Sequence, residues 1–249
     1  MNSKLLLGIV AVIVLIGGAA FIISGRASKM NLPGLIPSGQ KSETGFPTPI
    51  KSLHYENNVP EHGSVLAGVP LNVVIDFNFD LAPISTISIT QDGKEYGIEN
   101  TVVDENKLAL RRKMDPQSPD GRYTVAYKAC WPDQSCHNGM FEFAIDRSKS
   151  ADFTDMTGRS EVTISMENIA FNPRNIRISK GTKVTWVNNE TDGHYVNTDP
   201  HAGHSYYPAQ NSRLLNKGDS FSLVFDTPGI YPYHCSAHAS QMTGTILVE

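Results

Sequence analysis

Residues 229–248, near the end of the chain, have the sequence GIYPYHCSAHASQMTGTILV. Two strand-like runs, rich in β-branched and aromatic residues, enclose a short segment that carries Cys235, His238 and Met242. Because these residues are spaced by three and four positions, a single turn can bring their side chains around one point. The segment therefore predicts a metal site held between two strands.

A fourth candidate ligand, His194, lies far upstream at the start of another strand-like run. Two imidazoles, one thiolate and one weakly bound thioether form the donor set of a trigonal copper site with a long axial ligand. The thiolate and thioether favour Cu(I), whereas imidazoles accept both Cu(I) and Cu(II), so an ion held by this set can exchange one electron. Zinc is the alternative metal, but a methionine ligand argues against it.

The same residues also have simpler interpretations. Cys235 could be an inert core thiol, His194 an ordinary sandwich histidine and Met242 a packing residue of the core. A free thiol in an oxidising compartment, however, tends to become oxidised. Copper coordination would keep Cys235 deprotonated and occupied, and the metal site therefore accounts for this cysteine.

Residues 161–249 contain a series of short strand-like runs and no long helical periodicity. Turn signals separate the runs, for example Asp192-Gly193 and Pro228-Gly229. Seven or eight strands in about 90 residues predict an all-β, two-sheet sandwich. The expected strands are Glu161–Met166, Asn175–Ser179, Lys183–Asn188, His194–Thr198, Ser220–Phe225, Gly229–Tyr233 and Gly244–Val248.

This part of the chain resembles a cupredoxin of the plastocyanin/azurin type. The stretch FNPRNIRISKGTKVTWVNN at 171–189 is similar to the early strands of that family, and residues 229–242 are similar to its ligand loop. The resemblance implies a Greek-key sandwich that carries single electrons between redox partner proteins on one mononuclear type 1 copper ion, and that is not an enzyme. Tyr195 departs from the family pattern, which has Asn at this position. The hydrogen bonds around the site, and with them the reduction potential, therefore need not follow the family. The implied copper ligands are His194, Cys235, His238 and Met242.

Residues 51–147 also show strand-like runs at sandwich spacing, with Asp92-Gly93 as a hairpin signal. Through segments such as His54…Pro60-Glu61-His62-Gly63-Ser64 and 119–127 they weakly resemble the CopC-like copper-resistance sandwich. A plain immunoglobulin-like spacer domain is the alternative. The expected strands are Leu71–Phe79, Ile84–Thr90, Leu108–Arg111, Gly121–Lys128 and Met140–Ile145.

The CopC resemblance implies a second copper site, which would hold Cu(II) with His54, Asp133 and His137. Two features depart from the family pattern. His54 is internal unless the chain is cut just before it, so its amine is not free, and Asp133 and His137 lie four positions apart instead of two. The sequence therefore leaves the second site as an open expectation.

Two cysteines and three histidines remain outside these sites. Cys130 and Cys136 are six positions apart and predict a local disulfide in an exported domain; half of a zinc site is the alternative. His234 precedes Cys235 and should point to the opposite face of its strand, outside the copper site. His201 and His204 lie in one loop, where the simplest interpretation is a solvated pair. A second metal site and a copper-loading relay are the alternatives.

The N-terminal region is expected to lie outside the folded domains. The run Leu5–Ile23 has 19 residues without a charge and as a helix would cover about 29 Å, enough to cross a bilayer. Residues 1–26 are therefore predicted to be a single-pass membrane anchor, with a cleaved signal peptide as the alternative. The remaining boundaries are a Pro/Gly/Ser linker at 27–50, sandwiches at 51–147 and 159–249, and a short linker at 148–158, with both sandwiches extracytoplasmic.

Composition and domain count limit the function classes. With 21 Lys and Arg against 25 Asp and Glu, the chain offers no basic surface for nucleic acid. Copper storage, delivery or resistance is the alternative to electron transfer. A multicopper oxidase or nitrite reductase would need several cupredoxin domains with further copper-binding histidine clusters between them. The sequence carries no signal for an oligomeric state.

Overall fold

In residues 45–249, the part of the chain that the computed structural model describes, strands and short 3-10 helices form two consecutive β-sandwiches. In the first sandwich, β1-β3-β7-β6 form one sheet and β2-β9-β8-β4-β5 the other, from the following strands. They are β1 (Tyr55–Val59), β2 (Val65–Leu66), β3 (Asn72–Phe77), β4 (Thr86–Gln91), β5 (Lys94–Glu95), β6 (Gly97–Val103), β7 (Ala109–Met114), β8 (Gly121–Cys130) and β9 (Cys136–Ile145).

The second sandwich also consists of two sheets, with a different strand order. Its strands are β10 (Thr154–Asp155), β11 (Glu161–Glu167), β12 (Ala170–Asn172), β13 (Asn175–Ile178), β14 (Thr182–Asn188), β15 (Asn197–Thr198), β16 (Ser220–Phe225), β17 (Gly229–His234) and β18 (Thr243–Val248). Strands β10-β13-β18-β17-β15 form one sheet, and β12-β11-β14-β16 form the other. Three 3-10 helices, at Arg147–Asp152, Pro208–Gln210 and Ser236–His238, connect these strands.

Alternating side chains build both cores. Along β8, Tyr123, Val125 and Tyr127 are buried while the residues between them are more exposed. In β14 the fully buried Trp186 packs against Phe221 of the neighbouring strand and against Tyr233 of the opposite sheet. The all-β, two-sandwich architecture thus agrees with the sequence-based expectation.

The ends of the sandwiches differ from the linkers that the sequence predicts. Within the expected linker 27–50, Phe46 is buried with the Arg122 guanidinium 4.4 Å from its ring, and Ile50 pairs with Met140. Within the expected linker 148–158, β10 adds a parallel strand to β13. A single aromatic residue or a two-residue strand gives no periodic signal, which is why composition alone marked both segments as linkers.

The expected anchor at 1–26 and the linker up to residue 44 lie outside the described residues. No helix within 45–249 is long and apolar enough to cross a membrane. Cys130 and Cys136 face each other at the end of the β8–β9 hairpin and form the disulfide that their spacing predicts.

Side chains of the first sandwich hold a loop of the second, residues 199–206. The buried Tyr206 hydroxyl accepts a hydrogen bond from the Leu71 N–H and donates one to the Ile230 carbonyl, both at 2.7 Å. The Ser205 hydroxyl donates to Asp76 Oδ1 at 2.7 Å, and the Arg111 guanidinium donates to the Tyr206 carbonyl at 2.9 Å. This loop is therefore positioned by both sandwiches.

Candidate metal centre

Three of the four predicted ligands meet at one end of the second sandwich. The Cys235 sulfur lies 3.6 Å from His194 Nδ1 and 3.7 Å from His238 Nδ1. A metal ion in the plane of three ligands, at about 2.3 Å from sulfur and about 2.0 Å from nitrogen, separates sulfur from each nitrogen by about 3.7 Å. The three donor atoms are therefore spaced as a trigonal site requires.

The loop after β17 positions Cys235, His238 and Met242 through its own backbone. The His238 N–H donates to the Cys235 carbonyl, and the Met242 N–H donates to the His238 carbonyl, both at 2.9 Å. The Cys235 N–H in turn donates to the Met242 carbonyl at 2.9 Å, which closes the loop. Met242 is fully buried in the same core as Cys235, so all three residues belong to one tightly bonded turn.

His194 was expected to begin a strand at His194–Thr198, but β15 begins only at Asn197, so His194 lies in a loop. Its backbone pairs instead with Leu215, through hydrogen bonds of 3.0 and 2.8 Å. The buried Asn188 amide donates to the Leu215 carbonyl at 2.9 Å and fixes this pair from the neighbouring sheet. Hydrogen bonds thus fix the backbone of His194, although it lies in a loop.

A carboxylate selects the ring nitrogen that His194 offers to a metal. Glu190 Oε1 lies 2.6 Å from His194 Nε2. Partial burial raises the pKa of Glu190, but hydrogen bonds from the Ile169 and Asn168 N–H groups and from His194 outweigh burial, so that the pKa is lowered overall. An ionised Glu190 accepts a hydrogen bond from the Nε2–H group and so leaves a lone pair on Nδ1, the atom that faces the Cys235 sulfur.

The Cys235 sulfur has one hydrogen bond from the backbone. The Tyr195 N–H donates to it at 3.3 Å. Because the donor is a main-chain group, the exchange of Asn for Tyr at position 195 leaves this contact in place. The donor stabilises negative charge on the sulfur, as expected for a thiolate ligand.

The centre is closed to solvent except on one side. His194, Cys235 and Met242 are 0% exposed, whereas His238 is half-buried. His238 is therefore the candidate ligand through which the site reaches the protein surface.

The residues of the expected second copper site line one cavity, but their donor atoms do not lie as close together as those of the Cys235 site. Within the described range 45–249, only two groups of three His, Cys, Asp or Glu side chains place their donor atoms within 4.8 Å of one another, and His54, Asp133 and His137 are not among them. His54 is hydrogen-bonded to Asn78, and Asp133 accepts bonds from the Ser135 backbone and hydroxyl inside the disulfide loop. Asp133 thus stabilises a turn.

The second group that does converge is His201, His204 and His234. The sequence predicts His234 to lie outside the Cys235 site, and the structure places it there. Burial, followed by the neighbouring His234 and His201, lowers the pKa of His204, so its imidazole is neutral at pH 7. The signal in the sequence for this group is strand alternation. Because neighbouring side chains of a strand point to opposite faces, His234 points away from the Cys235 site and towards the 199–206 loop.

Known proteins resemble both halves of the chain. The model of the copper binding proteins of the plastocyanin/azurin family matches residues 159–249, and that of the CopC domain matches residues 55–146. A halocyanin of Natronomonas pharaonis is 33% identical over 39% of this chain and 62% of its own length. A plastocyanin of Scenedesmus fuscus is 35% identical over 32% of this chain and 88% of its own length.

Among solved structures, a novel purple cupredoxin from Nitrosopumilus maritimus is 31% identical; the match covers 36% of this chain and all of that protein, with a TM-score of 0.32. The family match and the His–Cys–His geometry together make copper the cofactor of the C-terminal domain. The chain belongs to the plastocyanin/azurin family of copper binding proteins, with a CopC domain preceding the copper-binding domain.

Proposed function

We propose that this chain is a membrane-tethered, extracytoplasmic type 1 copper protein that carries single electrons between redox partner proteins. The observation that carries the proposal is the buried trigonal arrangement of the Cys235 sulfur, 3.6 and 3.7 Å from the two imidazole nitrogens. Bound copper supplies a one-electron couple between Cu(I) and Cu(II). His194, Cys235, His238 and Met242 would hold it.

The protein side chains favour electron exchange over bond chemistry. The closed backbone turn around Cys235 and the Asn188–Leu215 support of His194 fix the donor atoms before any ion arrives. Burial of three of the four candidate ligands excludes substrates and water from the ion. Electrons would leave through the His238 ring, the one candidate ligand at the surface.

The location rests on two features. The uncharged run Leu5–Ile23 supports the tether, and the Cys130–Cys136 disulfide supports an oxidising compartment. With the sandwiches placed after the linker, the copper domain would face its partners outside the cytoplasm.

Cyclic voltammetry of the copper-loaded protein tests electron transfer. We expect one reversible one-electron wave per copper at the Cys235 centre, unchanged over repeated cycles, because the fixed ligands suit both oxidation states. Copper that leaves the protein on reduction would contradict the carrier. Such a release would favour copper storage or delivery, the second candidate function, which the CopC match at 55–146 supports.

Replacement of Glu190 by Gln should weaken copper binding about 10- to 100-fold, the usual effect of removing the partner of a ligating histidine. Glu190 accepts from the Asn168 and Ile169 N–H groups and from His194, and an amide NH₂ in place of one oxygen would face a donor. The affinity is measured by competition with a Cu(I) chelator.

The exposed Asp192 provides the matched control, because it is close to His194 in sequence but its carboxylate makes no hydrogen bond to His194 or Glu190. Asp192→Asn should retain the wild-type affinity. An affinity of Glu190→Gln equal to that of the control would show that the carboxylate does not support His194.

A further inference from the structure

A second group of imidazoles converges beside the ligand loop. His234 Nε2 lies 3.2 Å from His201 Nδ1 and 3.2 Å from His204 Nε2. The burial of the three residues is graded, with His234 buried, His204 half-buried and His201 exposed. The group thus opens to solvent on the His201 side.

Hydrogen bonding does not account for this convergence. Asp199 Oδ1 lies 2.6 Å from His234 Nδ1, so the carboxylate accepts a hydrogen bond from the Nδ1–H group, and Nε2 keeps a single lone pair. One lone pair accepts one hydrogen bond, yet two ring nitrogens approach Nε2 at the same short distance. A cation between the three nitrogens would satisfy all of them.

The spacing fits a metal ion. Nitrogens at about 2.0 Å from a tetrahedral ion lie about 3.3 Å apart, close to the two observed separations of 3.2 Å. The carboxylate behind His234 is the usual partner of a metal-ligating imidazole. For a site made of imidazoles, copper(II) binds more tightly than zinc or other first-row divalent ions.

We propose that His201, His204 and His234 bind a second transition-metal ion, with copper(II) as the preferred occupant and water as its fourth ligand. The water comes from a cavity of about 670 Å³ whose lining includes Asn57, Glu61, His201 and His234. The Ser236 hydroxyl, 3.0 Å from His204 Nε2, is a further polar atom at the edge of the site.

The two sandwiches together hold two of the three ligands in place. The Asn57 amide donates to the His201 carbonyl at 3.0 Å, and the Asn211 amide of the second sandwich donates to the His204 carbonyl at 3.0 Å. Between the two histidines, Gly203 packs so closely on the first sandwich that a Cβ would lie 1.9 Å from Asp76 Oδ2. The loop is therefore fixed before the ion binds, which lowers the entropic cost of binding.

Copper titration of the full chain in a His194→Ala, Cys235→Ser and His238→Ala background, which removes three donors of the first centre, tests the second site independently of that centre. We expect one equivalent of Cu(II), with pulsed EPR coupling to three imidazole nitrogens. Adding His201→Ala and His204→Ala should remove that equivalent. The matched control adds His54→Ala and His137→Ala instead, and should keep it.

Retention of the equivalent and of the three-nitrogen coupling in the His201/His204 variant would overturn the proposal, and tighter binding of Zn(II) than of Cu(II) would overturn the copper preference. Because His201 is exposed, His201→Ala alone should leave the thermal unfolding midpoint unchanged while it weakens Cu(II) binding at least tenfold. Asp199→Asn should weaken binding about 10- to 100-fold by removing the partner of His234. These outcomes do not depend on electron transfer at the Cys235 centre.

Discussion

The copper-loaded Cys235→Ser protein should be colourless, whereas the wild type should absorb intensely in the visible region. Visible absorption of this strength requires charge transfer from a thiolate to Cu(II), and Cys235 is the free cysteine of the described chain. A serine hydroxyl at the same place is a harder, protonated donor that gives no such transition. Absorption spectra of both proteins at equal copper loading measure the effect.

One further variant, a double substitution, makes this test specific. His201→Ala with His204→Ala should keep the full colour, since neither residue contacts the Cys235 sulfur. Colour that persists in Cys235→Ser, or a loaded wild type without the band, would remove the basis for electron transfer through this centre.

Asp76→Asn should stabilise the protein by up to about 3 kcal/mol at pH 7. Burial, more than any other cause, raises the pKa of Asp76 from 3.8 to about 6, although the Ser205 hydroxyl bond and Arg111 act in the opposite direction. The folded protein therefore holds the Asp76 proton more tightly than the unfolded chain, and ionisation costs stability as pH rises from about 4 to 6. Asparagine removes this cost and keeps an oxygen for Ser205.

Urea unfolding at pH 4 and at pH 7 measures the change. The stabilisation should be near zero below about pH 3, where Asp76 is protonated in both states, should still be small at pH 4, and should reach its full value above pH 6. The exposed Asp80 serves as the control, and Asp80→Asn should show no such pH dependence. A gain from Asp76→Asn that is equal at both pH values would contradict the assignment.

The ligand loop was predictable because its signals are local. Cys235, His238 and Met242 lie within eight positions of one another, and their spacing is a property of one turn. The donor set and the family resemblance both indicated His194, but its support was not predictable, since only the assembled sheets bring Leu215 and Asn188 to its backbone. That His194, Cys235, His238 and Met242 bind copper stays a prediction, which the absorption spectra will test.

The sequence offered a second metal site at His201 and His204 as one alternative, but it did not predict that His234 joins them in a triple-histidine group. The loop of His201 and His204 is positioned by Asn57, Asp76 and Arg111, which belong to a different sandwich and lie more than 90 residues away along the chain. No periodicity or spacing rule links residues across that separation. At the CopC-like site, the resemblance implies His54, Asp133 and His137 as ligands, and Asp133 also stabilises the turn of the disulfide loop. That second site stays a prediction.

Because His234 and Cys235 are adjacent, metal ions at the Cys235 centre and at the triple-histidine group would interact electrostatically. Neighbouring residues of a strand send their side chains to opposite sides, so ions held by the two would be about two side-chain lengths apart. A divalent cation near His234 repels the more positive, oxidised form of the Cys235 copper more strongly than the reduced form. A metal ion bound at the triple-histidine group would therefore raise the reduction potential of the copper at Cys235. The driving force for electron delivery would then vary with the metal content of the surroundings.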